Sequence, residues 1–421
     1  MVGTGIFTSL GFQVGDLPSG FAIMALWTIG GLCALCGALA YAELGAALPR
    51  SGGEYHFLST IYHPAVGFLA GWVSATVGFA APVALAAMAF GTYLTGVIPN
   101  VPPLVFSLGV VWIATLFLLR DVKVGSAFQD GATVLKVALI FVVIGAGIFV
   151  AKSTGVSFLP AAGDGKLITS APFAVSLVYV MYAYSGWNAS TYIVGEVRDP
   201  ARAIPLSVGI GTLLVLVLYL GVNAVFLHST PAGEMAGKLE VGLIAGAHLF
   251  GAAGGKVMAV LICAGLVSSV SAMMWIGPRV TMAMGEDLRV LSFLARKTQH
   301  GIPVPATLVQ FAIVNVLLLT STFDKVLTYV QFALQFCSFM TVLGVIVLRA
   351  RQPVLPRPYK TWGYPVTPLL FLAISLWMMV HILKSNPKES LAGLATMALG
   401  LIIYFLSPKN APTPAPIPVT E

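Results

Sequence analysis

Tyr182-Ala183-Tyr184-Ser185-Gly186-Trp187-Asn188 lies inside one long apolar stretch, from Ala174 to Gly195. A membrane-spanning helix must satisfy its backbone groups internally, because hydrocarbon offers no hydrogen-bond partner. Ser, Gly and Asn together at mid-span are a poor way to build a plain anchor. They suit a helix that breaks and aims freed backbone groups at a solute, as discontinuous transporter helices do. A second Gly pair, Gly3-Thr4-Gly5, opens the first apolar segment. The two segments hold like places in two halves of the chain, which points to a secondary transporter with its site at the bilayer midplane.

Composition agrees. The 421 residues are 58% hydrophobic and only 9% charged, with a mean hydropathy of +0.94, against about 25% charged residues in a soluble domain. This is the composition of a polytopic membrane protein, and the apolar runs cover the whole length, so one integral domain is expected over 1–407. Eleven complete spans read near 21–48, 65–94, 103–119, 130–151, 171–195, 205–228, 255–284, 304–321, 326–348, 364–384 and 391–407. The pI of 9.2 invites a nucleic-acid partner, but the basic residues follow membrane topology. With the C-terminus inside, fourteen of the 22 lie on the cytoplasmic side, among them Arg50, Arg198, Arg202, Arg349 and Arg357, and seven on the other. That bias places the C-terminus in the cytoplasm of a multi-pass cell (inner) membrane protein.

Met1 to Val14 is apolar but reaches only about 21 Å as a helix, short of a roughly 30 Å core. It reads as the outer half of a span whose inner half is absent, and upstream sequence is expected to supply the rest. Counting it, the chain has about twelve membrane helices. Spans 1–5 (1–151) and spans 6–10 (171–348) form two sets of five, each opening on a Gly interruption. Five being odd, the second set is inserted upside-down, as an inverted repeat requires. Spans 11–12 (364–407) follow a Pro-rich loop, and the Pro-rich tail 408–421 is expected to be disordered. All four cysteines lie in spans, so no disulfide-linked subunit is expected.

Four stretches carry a family resemblance: Gly-Thr-Gly-Ile-Phe (3–7), Tyr41–Tyr55 (with Glu43 and Pro49-Arg50-Ser51-Gly52-Gly53-Glu54), Ala183–Asn188, and Glu196–Pro205 between spans 6 and 7. Together, in this order, the chain resembles the amino acid–polyamine–organocation transporter superfamily, and the Gly-Trp-Asn triplet is most similar to its L-type amino acid transporter branch. The resemblance covers residues 1 to about 350. It implies an all-helical fold with a 5+5 inverted repeat and broken helices 1 and 6. It also implies transport of amino acids without an enzymatic step.

The residues fit such a cargo. Free N–H groups at the start of an outer half-helix, around Gly3, Thr4, Gly5 and Ile6, suit a carboxylate. Carbonyls at the end of the other half-helix, on Tyr182, Ala183 and Tyr184, suit an ammonium group. Ser185, Gly186, Trp187 and Asn188 complete the expected substrate site. By resemblance, Tyr182 stands where relatives place an aromatic gate, and Ser185 where a relative preferring cationic substrates has an acid, so neutral L-amino acids are expected. Lys136 is the one basic residue read inside a span, a costly placement that signals function. By resemblance it occupies the place of a sodium ion and bridges spans 1, 5 and 8, with Ser268, Ser269 and Ser271 as possible partners. Transport is then sodium-independent, by exchange or proton symport. A sodium-coupled carrier, or one for polyamines or cationic amino acids, is the alternative of the same fold. Glu43 and Glu196, ending their spans at the cytoplasmic face, are read as gate or loop ion-pair formers. No catalytic residue, metal site or cofactor is expected: the spans hold no nucleophile–base pair, HExxH helix or aspartate pair. Nor is there a repeated filter sequence or charge ring of a channel. The partners expected are the amino acid and membrane lipid.

Overall fold

The computed structural model describes residues 2–120, 123–287, 289–299 and 301–407; the tail expected to be disordered lies outside them. Every regular element among the described residues is helical. The first half of the chain forms α1 (Gly5–Gln13), α2 (Gly20–Ala47), α3 (Glu54–Ile61), α4 (Pro64–Val73), α5 (Ala80–Val97), α6 (Pro103–Arg120) and α7 (Lys123–Phe149). The second half opens with α8 (Asp164–Ile168), α9 (Ala171–Tyr184), α10 (Pro200–Ser229), α11 (Ala232–Met235) and α12 (Val241–Asp287). It closes with α13 (Val304–Thr320), α14 (Phe323–Arg351), α15 (Val366–Ser385) and α16 (Pro387–Leu406). A π-helical turn, Ser74–Gly78, joins α4 to α5, and a 3-10 segment, Trp187–Glu196, follows α9.

Among the described residues, nine helical stretches are long and apolar enough to cross a membrane. Two shorter apolar helices, α9 and α13, stand where the sequence places the other two spans. Two boundaries differ from the sequence reading. The connection read over Glu196–Pro205 shrinks to Val197–Asp199, because α10 starts at Pro200. A proline in the first turn gives up no helical hydrogen bond and brings a preset φ. In α12, Gly251 takes φ 77° and ψ 172°, a conformation open to glycine, and separates a short leading helix from the long apolar one.

The packing is layered from the centre outward. α2 runs along α10, and α5 along α12. Their facing aromatic and small side chains, including Trp27, Tyr41, Ala84, Tyr93, Tyr219 and Phe226, are completely buried. The outer helices turn large apolar side chains outward: Trp112 and Phe117 on α6, Phe141 and Phe149 on α7, Phe405 and Leu406 on α16. Apolar surface on this scale needs a non-aqueous surrounding. The protein is an integral, multi-pass membrane protein.

Candidate functional site

α9 starts at Ser170, whose Oγ accepts from Phe173 N, and ends abruptly at Tyr184. Ser185 is extended, with φ −63° and ψ 166°, and Gly186 is left-handed, with φ 96°. Without a Cβ, Gly186 takes this conformation at no steric cost, and the chain re-enters as a tighter 3-10 segment. Of the three carbonyls freed by the break, two are already bonded. Ser185 donates to Tyr182 O twice, from its N–H at 3.0 Å and its Oγ at 2.7 Å, and Tyr219 Oη donates to Ala183 O at 3.3 Å. The Tyr184 carbonyl accepts no hydrogen bond among the described residues.

The start of α1 lies against this break. Thr4 takes the capping position without capping through its side chain, and Phe7 N donates back to Thr4 O at 3.0 Å; the N–H groups ahead of it carry the partly positive character of a helix start. Thr4 Oγ1 instead meets Tyr182 Oη at 2.9 Å. Gly5 allows the approach: a Cβ there would fall 2.4 Å from Ala183 Cα. Tyr93 Oη, donating to Phe7 O at 2.7 Å and accepting from Gly242 N at 2.8 Å, fixes α1 to α5 and α12.

The two breaks open on one cavity of about 170 Å³. It is lined by Gly3, Thr4, Gly5, Tyr182, Ala183, Ser185, Gly186, Trp187 and Asn188, all expected from the sequence. Two expected residues face elsewhere. Ile6 is fully buried in the core, and the Tyr184 side chain packs between Trp27 and Tyr219, its Oη donating to Trp27 O at 3.2 Å. The far wall was not foreseen: Ser74, Gly78 and Phe79 at the π-turn, Met273 on α12, and Gln331, Gln335 and Ser338 on α14. A helical π-turn has no clear hydropathy signature, and α14 reads simply as an apolar span.

Lys136 also lines the cavity and is, among the described residues, the one charged residue that does so. It projects from α7, and its Nζ donates to Ser268 Oγ on α12 at 3.4 Å. Gly265 makes room for its stem, since a Cβ there would come within 2.8 Å of Lys136 Cγ. Ser268 in turn donates to Gln129 Oε1 at 2.7 Å. Ser269 lines the cavity, whereas Ser268 and Ser271 do not. The expected bridge thus has its α7 and α12 ends, while α1 meets Lys136 only across the cavity.

Of the two acids read as gates, Glu43 is 1% exposed and forms a tether. Arg349 donates to both its oxygens, at 2.9 and 2.6 Å, Thr361 donates to Oε2 from N and Oγ1, and Arg357 Nε lies 3.5 Å from Oε1. This ties α2 to the end of α14 and to the loop before α15, away from the cavity lining. Glu196 ends the 3-10 segment, and its side chain lies outside the described residues.

A third acid went unweighed. Glu54 opens α3, is 1% exposed, and has no lysine, arginine or histidine paired with it among the described residues. Tyr41 Oη donates to Oε1, as does Ser338 Oγ at 3.3 Å; Tyr192 Oη donates to Oε2 at 3.4 Å. The Asn188 side chain also bonds the carboxyl, and burial nevertheless pushes it above the usual carboxylate range. Gly53-Glu54-Tyr55 was visible as part of a motif; nothing local marks the residue as buried.

The profile of a family described as amino acid permease matches residues 1–410. The chain is 28% identical to the mouse (Mus musculus) Asc-type amino acid transporter 1, over 96% of this chain and 78% of that one. It is 26% identical to the mouse b(0,+)-type amino acid transporter 1, over 96% and 84%. It is 28% identical to the rabbit (Oryctolagus cuniculus) large neutral amino acids transporter small subunit 2, over 96% and 77%.

Proposed function

Belonging to the amino acid permease family, the chain carries amino acids across a membrane and is not an enzyme, and we propose that its cargo is a neutral L-amino acid held as a zwitterion between the two helix breaks. The observation that carries this reading is the makeup of the cavity wall. Both breaks reach it, and among the described residues it contains no carboxylate. The N–H groups at the start of α1 suit the cargo's carboxylate, and the Asn188 side chain, which lines the cavity, suits its ammonium. A cationic cargo side chain would meet Lys136 and no counter-charge, an arrangement that disfavours it by several kcal/mol when desolvated. The names of the Asc-type and large neutral amino acids relatives agree with a neutral cargo.

The reading extends to coupling and topology. Lys136 holds a fixed positive charge beside the cavity, so transport proceeds without sodium, by exchange or proton symport. Residues 1–407 form one integral domain, with a 5+5 inverted repeat over 1–151 and 171–348 followed by α15 and α16. The face carrying Glu43, Arg349 and Arg357 is cytoplasmic in the cell membrane, as is the C-terminus. Uptake of a panel of labelled amino acids into proteoliposomes, with and without internal amino acid, tests the cargo. Neutral amino acids should be taken up in choline as well as in sodium. Tight binding of arginine or putrescine with no response to neutral amino acids would overturn the assignment.

A further inference from the structure

Glu54 is a buried carboxyl without a cation, placed where four pieces of the fold meet. α3 carries it, α2 supplies Tyr41, the 3-10 segment supplies Asn188 and Tyr192, and α14 supplies Ser338. Three of these partners, Asn188, Tyr192 and Ser338, also line the cavity, and Glu54 itself does not. The carboxyl therefore sits one side chain beneath the cavity floor. We propose that Glu54 is a proton-binding site of the transport cycle, protonated while α2, α3, α14 and the 3-10 segment are packed around it and ionised when they separate.

The physical basis is the cost of a lone buried charge. An ionised carboxyl out of water, with no cation beside it, is strongly disfavoured, and the group neutralises instead. Separating the four pieces admits water and removes that penalty. A proton thus binds the packed arrangement more tightly than the separated one, and by linkage it favours packing. In the step itself the Glu54 O–H bond breaks, its electron pair stays on the carboxylate, and the proton passes to water. Reloading is the reverse, through the Ser338 and Tyr192 hydroxyls on the cavity side.

The other titratable groups around Glu54 do not replace it in this role. Tyr41 and Tyr192 donate hydrogen bonds to it, and the Cys337 thiol on α14 faces it. α4, packed on α3, carries no titratable residue. Arg50, Tyr55 and His56, near Glu54 in sequence, have interactions of their own. Glu43 is taken up by Arg349, Arg357 and Thr361.

This inference rests on the cavity being the amino acid site, so the test has one arm that does not depend on cargo. The first arm follows the thermal unfolding midpoint of purified wild type and Glu54→Gln against pH. A carboxyl whose folded pKa lies above its unfolded one stabilises fully below the unfolded pKa, and that contribution is lost as pH rises through the folded pKa. Wild type should therefore lose stability over that rise, and Glu54→Gln should lose less. The second arm measures neutral amino acid uptake and proton entry into proteoliposomes with an internal pH dye. Wild type should carry protons with its cargo, and Glu54→Gln should exchange amino acids with that proton movement lost. Identical pH profiles in the two proteins, or a flat wild-type profile in the first arm, would overturn the proposal. Absent uptake of any neutral amino acid would fell the cargo reading, while the first arm still decides the proton site. Should Glu54→Gln fail to fold, Tyr41→Phe takes its place. Removing a donor to the ionised form raises the carboxyl's pKa, so the midpoint of the pH profile should move upward, and an unmoved midpoint counts against Glu54.

Discussion

Gly5→Ala places a methyl carbon where the backbone of α9 already stands, 2.4 Å from Ala183 Cα and 2.5 Å from Ala183 Cβ. Ordinary contact begins near 3.4 Å, so α1 and α9 must part by about 1 Å. Backbone cannot swing aside as the tip of a flexible side chain can, and overpacking of this kind costs about 1–3 kcal/mol. The strain falls where the two breaks share one cavity wall, so relieving it moves the two ends of the proposed zwitterion site apart. An energy of 1–3 kcal/mol corresponds to about 5- to 150-fold in an equilibrium. Uptake at substrate concentrations well below saturation should fall by a factor in that range, and further for Gly5→Val. The comparison protein is Gly109→Ala on α6, whose new Cβ would meet nothing within 4 Å. Both variants are purified, their unfolding midpoints recorded, and uptake measured per mole of reconstituted protein. Gly109→Ala should match wild type. Equal uptake by Gly5→Ala and Gly109→Ala would refute the close-approach reasoning.

Gly186→Val forces a β-branched residue into a left-handed conformation at φ 96°, a strain of roughly 1–2 kcal/mol or more. It should abolish uptake while membrane insertion, followed by yield and size-exclusion profile, is retained; normal uptake would reduce the break to a packing feature. Lys136→Ala should abolish or strongly impair uptake, and replacing sodium with choline should leave wild type unchanged. Uptake that collapses in choline, or survives Lys136→Ala, would refute a coupling role for Lys136. Arg349→Met leaves Glu43 buried with only Arg357 and Thr361. Removing one partner of a buried pair costs about 3–5 kcal/mol, and the remaining partners put this variant at or below the lower end. Its midpoint should drop measurably, and an unchanged midpoint would remove the tether's structural role.

The sequence carried the helices and the break, because both are local properties. A run of about 20 apolar residues spans a bilayer whatever surrounds it, so all eleven predicted spans have a helical counterpart. Ser185-Gly186 announces its own break, since only glycine is at ease at φ 96°. What sequence could not supply were the contacts that decide which freed groups stay free. Ser185 folds back onto the Tyr182 carbonyl, and Tyr219, more than thirty residues away, takes that of Ala183. The choice among Ser268, Ser269 and Ser271 likewise turned on helix rotation: Ser268 reaches Lys136, and Ser269 reaches the cavity. Glu54 looked like any polar residue at a helix start. Its burial comes from Tyr41, Tyr192 and Ser338, brought together by packing from positions 13, 138 and 284 residues away.

The cavity has two kinds of wall, and they differ in what mutation can do to them. On the side of the breaks it offers main-chain amides and carbonyls, which no substitution removes short of proline at an amide. On the other side it offers Phe79, Met273, Leu334 and Gln335, each exchangeable by a single codon change. On the proposed binding mode, cargo side chains can therefore be reselected, by natural drift or in the laboratory, without loosening the grip on the part common to all amino acids. A library confined to those four positions should yield altered preference far more often than lost uptake.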